Sequence, residues 1–482
     1  MNSFDLRIKV IRALLWSGSM RYIGQVITWG ITLVVIRLLT PSDYGLMAMA
    51  GVIINFLTLL SEFGLGVAIV QSKNLQKNDI SIIFGFLILA NSTLALILFL
   101  IAPIAALFYS EPKLTKIIQI LSLNFILMCL YVIPQAMLAR IMDFRLKSLI
   151  ELIAALACSG LTLVLAIDGW GVWSLVWGSL AMHFSLAVGF NIVSHSNVLP
   201  SFSIQGMRQF LRFGSYIAGN RLLWYIYDKA DLFIGGRYLG KEILGSYSVA
   251  LELSAVPLDK FLPVVNQVAL TAYSKIQIDI TSVRSNFLRA TRMVALCITP
   301  AYGGIIALAP NIVHTLFGEK WQFVVFPLQI LCLIMPLRCY YSLFLPVLVG
   351  INRPDVAFKN VAVASILMPI AYLMGVQWGI IGLCISWIIG FTVVFIIVLK
   401  QSLECVGLTF RSYLSSIRSQ LICSISMTLI VLLFRTQLIN MLNTITIIVL
   451  GSMLGIIVYL GLIYIFDKQL LNDFRILFRS RA

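Results

Sequence analysis

The sequence predicts an all-α integral membrane protein with about fourteen transmembrane helices. Three observations carry that expectation: a composition too apolar for water, apolar runs long enough to span a bilayer, and cations gathered on one side of those runs. Of the 482 residues, 60% are hydrophobic and 11% charged. Soluble domains carry about 25% charged residues, so this chain cannot cover a folded surface in water. About 20 apolar residues, rising about 1.5 Å each, cross a hydrocarbon core of about 30 Å. Such runs are read at 13–36, 44–70, 80–108, 114–139, 148–167, 170–193, 213–234, 245–271, 291–317, 321–349, 357–377, 379–399, 419–439 and 442–466. Spanning β-strands are about ten residues long and alternate apolar with polar, whereas these runs are continuous, which excludes a barrel.

Ahead of the first run, Phe4, Leu6, Ile8 and Val10 alternate with Arg7, Lys9 and Arg12 and lead straight into it. This is expected to be a cytoplasmic lead-in, since a cleaved signal has a shorter apolar region and a small-residue cleavage site. With the N-terminus inside, the inner segments hold 23 Lys and Arg, and the outer ones hold seven: Arg37, Lys113, Lys116, Arg237, Lys241, Lys320 and Arg435. Lys and Arg resist translocation, so this split supports both span count and orientation and predicts that both termini are cytoplasmic. It also accounts for most of the net charge of +16 without invoking nucleic acid. The longest outer connection is expected to be the ten residues Gly235 to Leu244, and Arg435 is expected in the loop between the last two spans.

The eight cysteines are scattered without CxxC spacing, and His183, His195 and His314 lie far apart. Disulfides, a metal site and a resident cofactor are not expected.

A shift of 200 residues lays RLLTPSDYGLMAMA (Arg37 to Ala50) over RYLGKEILGSYSVA (Arg237 to Ala250), matching Arg37/Arg237, Leu39/Leu239, Gly45/Gly245 and Ala50/Ala250, with Arg21 over Arg221. Six spans separate the copies, an even number, so both halves enter the membrane in one direction as a parallel repeat. The expected organisation is two pseudo-symmetric six-helix lobes, 1–200 and 201–400, followed by 401–482 with two extra helices and a cytoplasmic tail. Two such lobes suit alternating access.

Five cations (Arg21, Arg221, Lys229, Lys260, Arg338) and five carboxylates (Glu62, Asp228, Asp231, Glu252, Asp259) are read inside spans. Each costs about 2.5 to 3.5 kcal/mol at a helix centre, so these groups face one another or water. Arg21 and Arg221 each lie nine residues past an edge arginine, Arg12 or Arg212, which is about 13 Å into the membrane. Glu62 reaches a similar depth and is a candidate partner for Arg21. Helical spacing gathers Arg21, Gln25, Thr28 and Thr32 on span 1, and Asn55, Thr58 and Glu62 on span 2. Span 7 lines up Arg221, Trp224, Asp228 and Asp231 with Tyr225 alongside. Span 8 carries Glu252, Asp259 and Asn266, with Pro257 and Pro263 marking an expected kink. These four spans are expected to wall a polar chamber.

Guanidinium groups there favour phosphate or carboxylate through paired hydrogen bonds. Gln25, Asn55, Trp224 and Tyr225 offer the amides and rings that hold sugars. Glu62, Asp228, Asp231, Glu252 and Asp259 are candidates for coupling to H+ or Na+. Five against five is formally neutral, so the count leaves open whether the charges pair or line an open chamber.

The segment LLTPSDYGLMAMAGVIINFLTLLSEFGLGVAIVQ (Leu38 to Gln71), with its TP-x-D-Y-G loop and following E-FGLG, resembles the second-span region of Wzx-type polysaccharide flippases. These belong to the multidrug/oligosaccharidyl-lipid/polysaccharide exporter superfamily. The resemblance implies a MATE-like flippase fold in the bacterial inner membrane that moves undecaprenyl-diphosphate-linked oligosaccharide for exopolysaccharide, capsule or O-antigen, in the manner of a colanic-acid exporter. It implies membrane lipid and other polysaccharide-assembly proteins as partners. From their matched depth and repeat positions Arg21 and Arg221 are expected on the diphosphate, with Lys229, Lys260 and Arg338 as further candidates for the diphosphate and sugars. An ion-coupled multidrug exporter would favour a net acidic cavity, which Arg21 and Arg221 oppose. A polysaccharide polymerase or ligase would need a larger outer loop or domain, and no nucleophile–base pair is visible, so an enzyme is not expected.

Overall fold

The computed structural model describes residues 20, 24–62, 69, 76–194, 199–202, 208–439 and 441–468. Among them every regular element is a helix. They fall into two compact units. One is built from the chain up to Tyr225 together with Gly240–Gly245, the other from Ile226–Leu239 and the chain from Ser246 onward.

In the first unit, α1 (Gly24–Leu38) leads into α2 (Pro41–Glu62). The TPSDYG loop is the cap of α2. The Asp43 carboxylate accepts from the Thr40 backbone N–H at 2.9 Å and the Thr40 hydroxyl at 2.7 Å, and Pro41 occupies the first turn, where its missing N–H is no loss. Helix α3 (Lys77–Tyr109) starts with a capping box of Gln76 and Asp79 and stops at Ser110, whose φ of 58° is left-handed. Then come α4 (Lys113–Leu121), α5 (Leu123–Arg140), α6 (Phe144–Ile167) and α7 (Val172–Ser194). Met128, Tyr131 and Leu138 of α5, Ile150 and Ala154 of α6 and Phe190 of α7 form one apolar cluster. Val35 and Leu39, at the end of α1, pack with Ala166 of α6.

Helix α8 (Arg208–Ile276) runs 69 residues and is helical through Pro257 and Pro263, with non-helical backbone at Gly240 (φ 75°, ψ 172°). The ten-residue outer connection expected at Gly235 to Leu244 is therefore corrected to this single residue. Glycine adopts positive φ without a Cβ clash, so one position can end one arm and start the next.

The second unit holds the remaining parts of α8 and continues through α9 (Ile280–Phe317), a 3-10 turn (Glu319–Val324), α10 (Val325–Ser342), α11 (Phe344–Gly350), α12 (Pro354–Gly375), α13 (Gly379–Val406), α14 (Phe410–Leu438) and α15 (Thr444–Phe466). Asp279 caps α9, and donation from Ser282 and Thr281 holds its carboxyl down at about 2. Helices α14 and α15 pack on α9 through Leu296, Leu308, Met427, Val431, Ile447 and Ile463. Arg435 lies in the last turn of α14, with Nη1 3.5 Å from the Ala307 carbonyl, and not in the loop where it was expected. Helix propagation to Leu438 carries it back toward a carbonyl acceptor on α9.

Among the described residues, ten helical stretches are long and apolar enough to cross a membrane. Their outer faces are apolar as well. Leu100, Ile104 and Leu107, one face of α3, are 62, 63 and 79% exposed, which suits lipid and not water.

Within the first unit, two glycines that the 200-residue shift matches come into contact. Gly45 of α2 and Gly245 of α8 approach so closely that a Cβ on Gly45 would overlap the Lys241 carbonyl and one on Gly245 would overlap the Pro41 carbonyl. Each glycine thus faces the backbone four residues before its repeat mate. Small residues allow such close backbone packing between membrane helices. Beside it, the Lys241 ammonium lies 2.9 Å from the Glu111 carboxylate, with side chains 37 and 16% exposed. Lys241→Ala is expected to change unfolding in detergent by less than about 1 kcal/mol, because a half-exposed ion pair is screened. A thermal unfolding series in detergent checks it.

Candidate functional site

The second unit buries a charge cluster on α8. Asp228 and Asp231 are three residues apart and so share a face. The Asp228 carboxylate accepts from Arg338 Nη2 of α10 at 2.7 Å and lies 3.0 Å from Lys229 Nζ. Arg338 is 9% exposed, and its guanidinium carbon stands 4.8 Å from the Trp387 ring centroid and 5.6 Å from that of Tyr227. The cation is therefore held by one carboxylate and two π faces, an arrangement suited to planar arginine.

Asp231 is fully buried and is held by neutral donors. The Tyr247 hydroxyl donates to it at 2.7 Å, the Leu232 backbone N–H at 2.7 Å and the Trp387 indole N–H at 3.2 Å. The same indole is 2.8 Å from the Tyr247 oxygen, which closes a triangle. A buried carboxylate with this many donors is satisfied without a counter-ion. Removing one donor leaves part of it unpaired, so Tyr247→Phe is expected to cost about 1–3 kcal/mol, read as a lower unfolding midpoint in detergent.

The structure thus brings together Asp228, Lys229, Asp231 and Arg338, and it answers for them the question of pairing. Glu252, Asp259 and Lys260 lie further along α8 and are exposed. In the first unit, Arg221 and Trp224 are exposed on the other arm of α8. Tyr225 beside them is buried and donates to the Val52 carbonyl of α2 at 2.5 Å, so its hydroxyl clamps two helices. Asn55 is exposed on α2. Arg21 and the Glu62 side chain lie outside the described residues, and so does their expected pair.

Gln25 lines a cavity of about 180 Å³ between α1 and α6, with Met20, Gly24, Thr28, Ser148, Glu151, Leu152 and Ala155. Glu151 was not among the carboxylates read from the sequence, although it falls within the 148–167 run. It lies three residues past the start of that run and four past Lys147, a position where a charge carries no signal of a buried site. Tyr247 and Trp387 were missed too, because aromatic residues in apolar runs carry no polar signal of their own. Among the described residues no group of three or more His, Cys, Asp or Glu side chains could hold a metal ion.

Comparison with known proteins agrees with this architecture. The profile of a family described as "Polysaccharide biosynthesis protein" matches residues 34–326. The chain is 27% identical over 429 residues to the lipopolysaccharide biosynthesis protein WzxC of Escherichia coli (strain K12), covering 86% of this chain and 85% of that one. Among solved structures, the lipid II flippase MurJ in an inward closed conformation aligns with a TM-score of 0.76 at 16% identity, over 95% of this chain and 100% of that one. An inward-facing MATE family multidrug transporter of the MOP superfamily aligns with a TM-score of 0.63 at 13% identity, over 79% of this chain and 94% of that one. These two structures show a MATE-like fold.

Proposed function

The chain belongs to the family of polysaccharide biosynthesis proteins, and from that premise we propose that it flips undecaprenyl-diphosphate-linked oligosaccharide across the bacterial inner membrane by alternating access. It is a multi-pass membrane transporter of lipid-linked oligosaccharide and not an enzyme. The observation that carries this reading is the polar interior of an otherwise apolar bundle: Asp228, Lys229 and Arg338 paired at 2.7 and 3.0 Å, with Asp231 beside them. Charges in spans are expensive, and their retention marks a path for polar cargo.

Fourteen spans follow if Pro354–Val406 is divided at Gly379, α8 is counted as one span on each side of Gly240, and the short α1 joins the ten long stretches. The cation bias puts both termini in the cytoplasm. Arg21 and Arg221 are the proposed contacts for the diphosphate, Lys229, Lys260 and Arg338 are further candidates for the diphosphate and sugars, and Gln25, Asn55, Trp224 and Tyr225 are the candidates for the sugars. The prenyl tail stays in lipid, and spans 13 and 14 offer it a groove.

A strain lacking the protein is expected to lose surface polysaccharide and accumulate lipid-linked repeat units, and the wild-type gene restores it. Arg221→Ala is expected not to restore it, and full restoration would remove Arg221 from the substrate site. Coupling to H+ or Na+ falls to Glu252 and Asp259, which are exposed, because Asp228 and Asp231 already hold partners. In reconstituted vesicles, the double variant Glu252→Gln, Asp259→Asn is expected to flip at a rate indifferent to either gradient.

A further inference from the structure

We propose that the cavity between α1 and α6 is a subsite for one hydroxyl-bearing sugar ring of the transported oligosaccharide. The proposal rests on the reading of the chain as an oligosaccharide flippase. It stands on the lining of the cavity and its size.

Glu151 lies seven residues past the start of α6, about 10 Å along it. The side chains of Gln25 and Ser148 line the same space, and the Gln135 amide donates to Glu151 Oε1 at 3.3 Å from the adjacent α5. A carboxylate accepts from hydroxyls, and an amide both donates and accepts. Together they match neighbouring hydroxyl groups on a ring. Met20, Leu152 and Ala155 supply an apolar wall for the ring's C–H face. Thr28 adds little, because its hydroxyl is engaged by the Gly24 carbonyl at 2.9 Å. Gly24 lets the helices meet, since a Cβ there would overlap the Leu152 side chain.

The volume of about 180 Å³ is that of about six waters at about 30 Å³ each, room for one ring and far more than a bare cation needs. The charge of Glu151 is already partly answered by the Lys147 ammonium 3.8 Å away. The occupant is a hydroxyl-bearing ring.

The test is complementation of the deletion strain with three variants, measuring surface polysaccharide, lipid-linked intermediates and the amount of protein in the membrane. Glu151→Gln keeps hydrogen bonding without charge and is expected to complement within about two-fold of wild type. Glu151→Leu removes the acceptors and is expected to lower surface polysaccharide about ten-fold or more, as loss of a charged hydrogen-bond acceptor does. Ala155→Phe fills the cavity from its apolar wall, leaves the polar groups in place, and is expected to match Glu151→Leu at normal protein level.

Full complementation by Ala155→Phe or Glu151→Leu overturns the subsite. If Glu151→Gln fails as badly as Glu151→Leu at normal protein level, the charge is what matters, and a cation takes the place of the sugar. If Glu151→Leu does not accumulate in the membrane, Ala155→Phe decides alone. A deletion strain with no defect would instead refute the flippase reading, and the two failures are distinguishable.

Discussion

Arg338→Ala is expected to destabilise the protein by about 3–5 kcal/mol, the range for removing one partner of a buried ion pair. The loss has two sources. Asp228 keeps Lys229 at 3.0 Å but loses the 2.7 Å bond from Arg338, and the space beside Trp387 and Tyr227 loses its cation. Purified variants followed by thermal or denaturant unfolding in detergent give the number. The paired change Asp228→Leu with Arg338→Leu is expected to recover part of that stability, since replacing both buried charges by apolar groups of similar volume is close to neutral, while Lys229, a third exposed, turns to water in place of Asp228. Transport need not recover with it. If the double variant folds well and still leaves lipid-linked units stranded, Arg338 serves the substrate as well as the bundle. If transport also returns, the ion pair is structural and Arg338 leaves the substrate site.

Gly45→Val and Gly245→Val are expected to be at least as damaging, exceeding the roughly 1–3 kcal/mol of ordinary overpacking. In a tight core a larger side chain can displace a neighbouring side chain. Here the first Cβ would meet the backbone carbonyls of Lys241 and Pro41, which cannot move without separating the helices. Both variants should unfold at lower temperature and fail to restore surface polysaccharide. Gly30 is the control: it is helical in α1, and a Cβ there meets nothing within 4 Å. Gly30→Ala is expected to be neutral or to stabilise by about 0.5–1 kcal/mol, the helix preference for alanine. Equal tolerance at Gly45 and Gly30 would show that the close approach does not hold in the folded protein.

The TPSDYG loop shows how a sequence signal and its cause can differ. As a string it marks a family resemblance. In the structure, Thr40, Pro41 and Asp43 are a helix cap, and Gly45 is the point of contact with a residue 200 positions later. The repeat was legible because both copies kept a glycine at the same offset, but that the two glycines touch was not. Likewise, Asp228, Lys229, Asp231 and Arg338 stood out individually as charges in apolar runs. Their grouping around Trp387 and Tyr247 did not, because neither aromatic residue departs from its surroundings in hydropathy. Glu151 was overlooked for the opposite reason, since a charge close to the start of a run and next to Lys147 looks interfacial.

By itself the sequence determined the helical class, the placement of the apolar runs, the bias of cations and the 200-residue offset that matches Gly45 with Gly245. Each is a property of residues a few positions apart or of a count along the chain, which hydropathy and helical period read directly. Only the tertiary structure decided which charges pair, which glycines meet and which carboxylate borders a cavity. The Asp228–Arg338 bond joins residues 110 apart and the Asp231–Trp387 bond residues 156 apart. Such partners depend on how each helix is rotated and how far it is slid against its neighbours, and many registers bury the same apolar faces equally well.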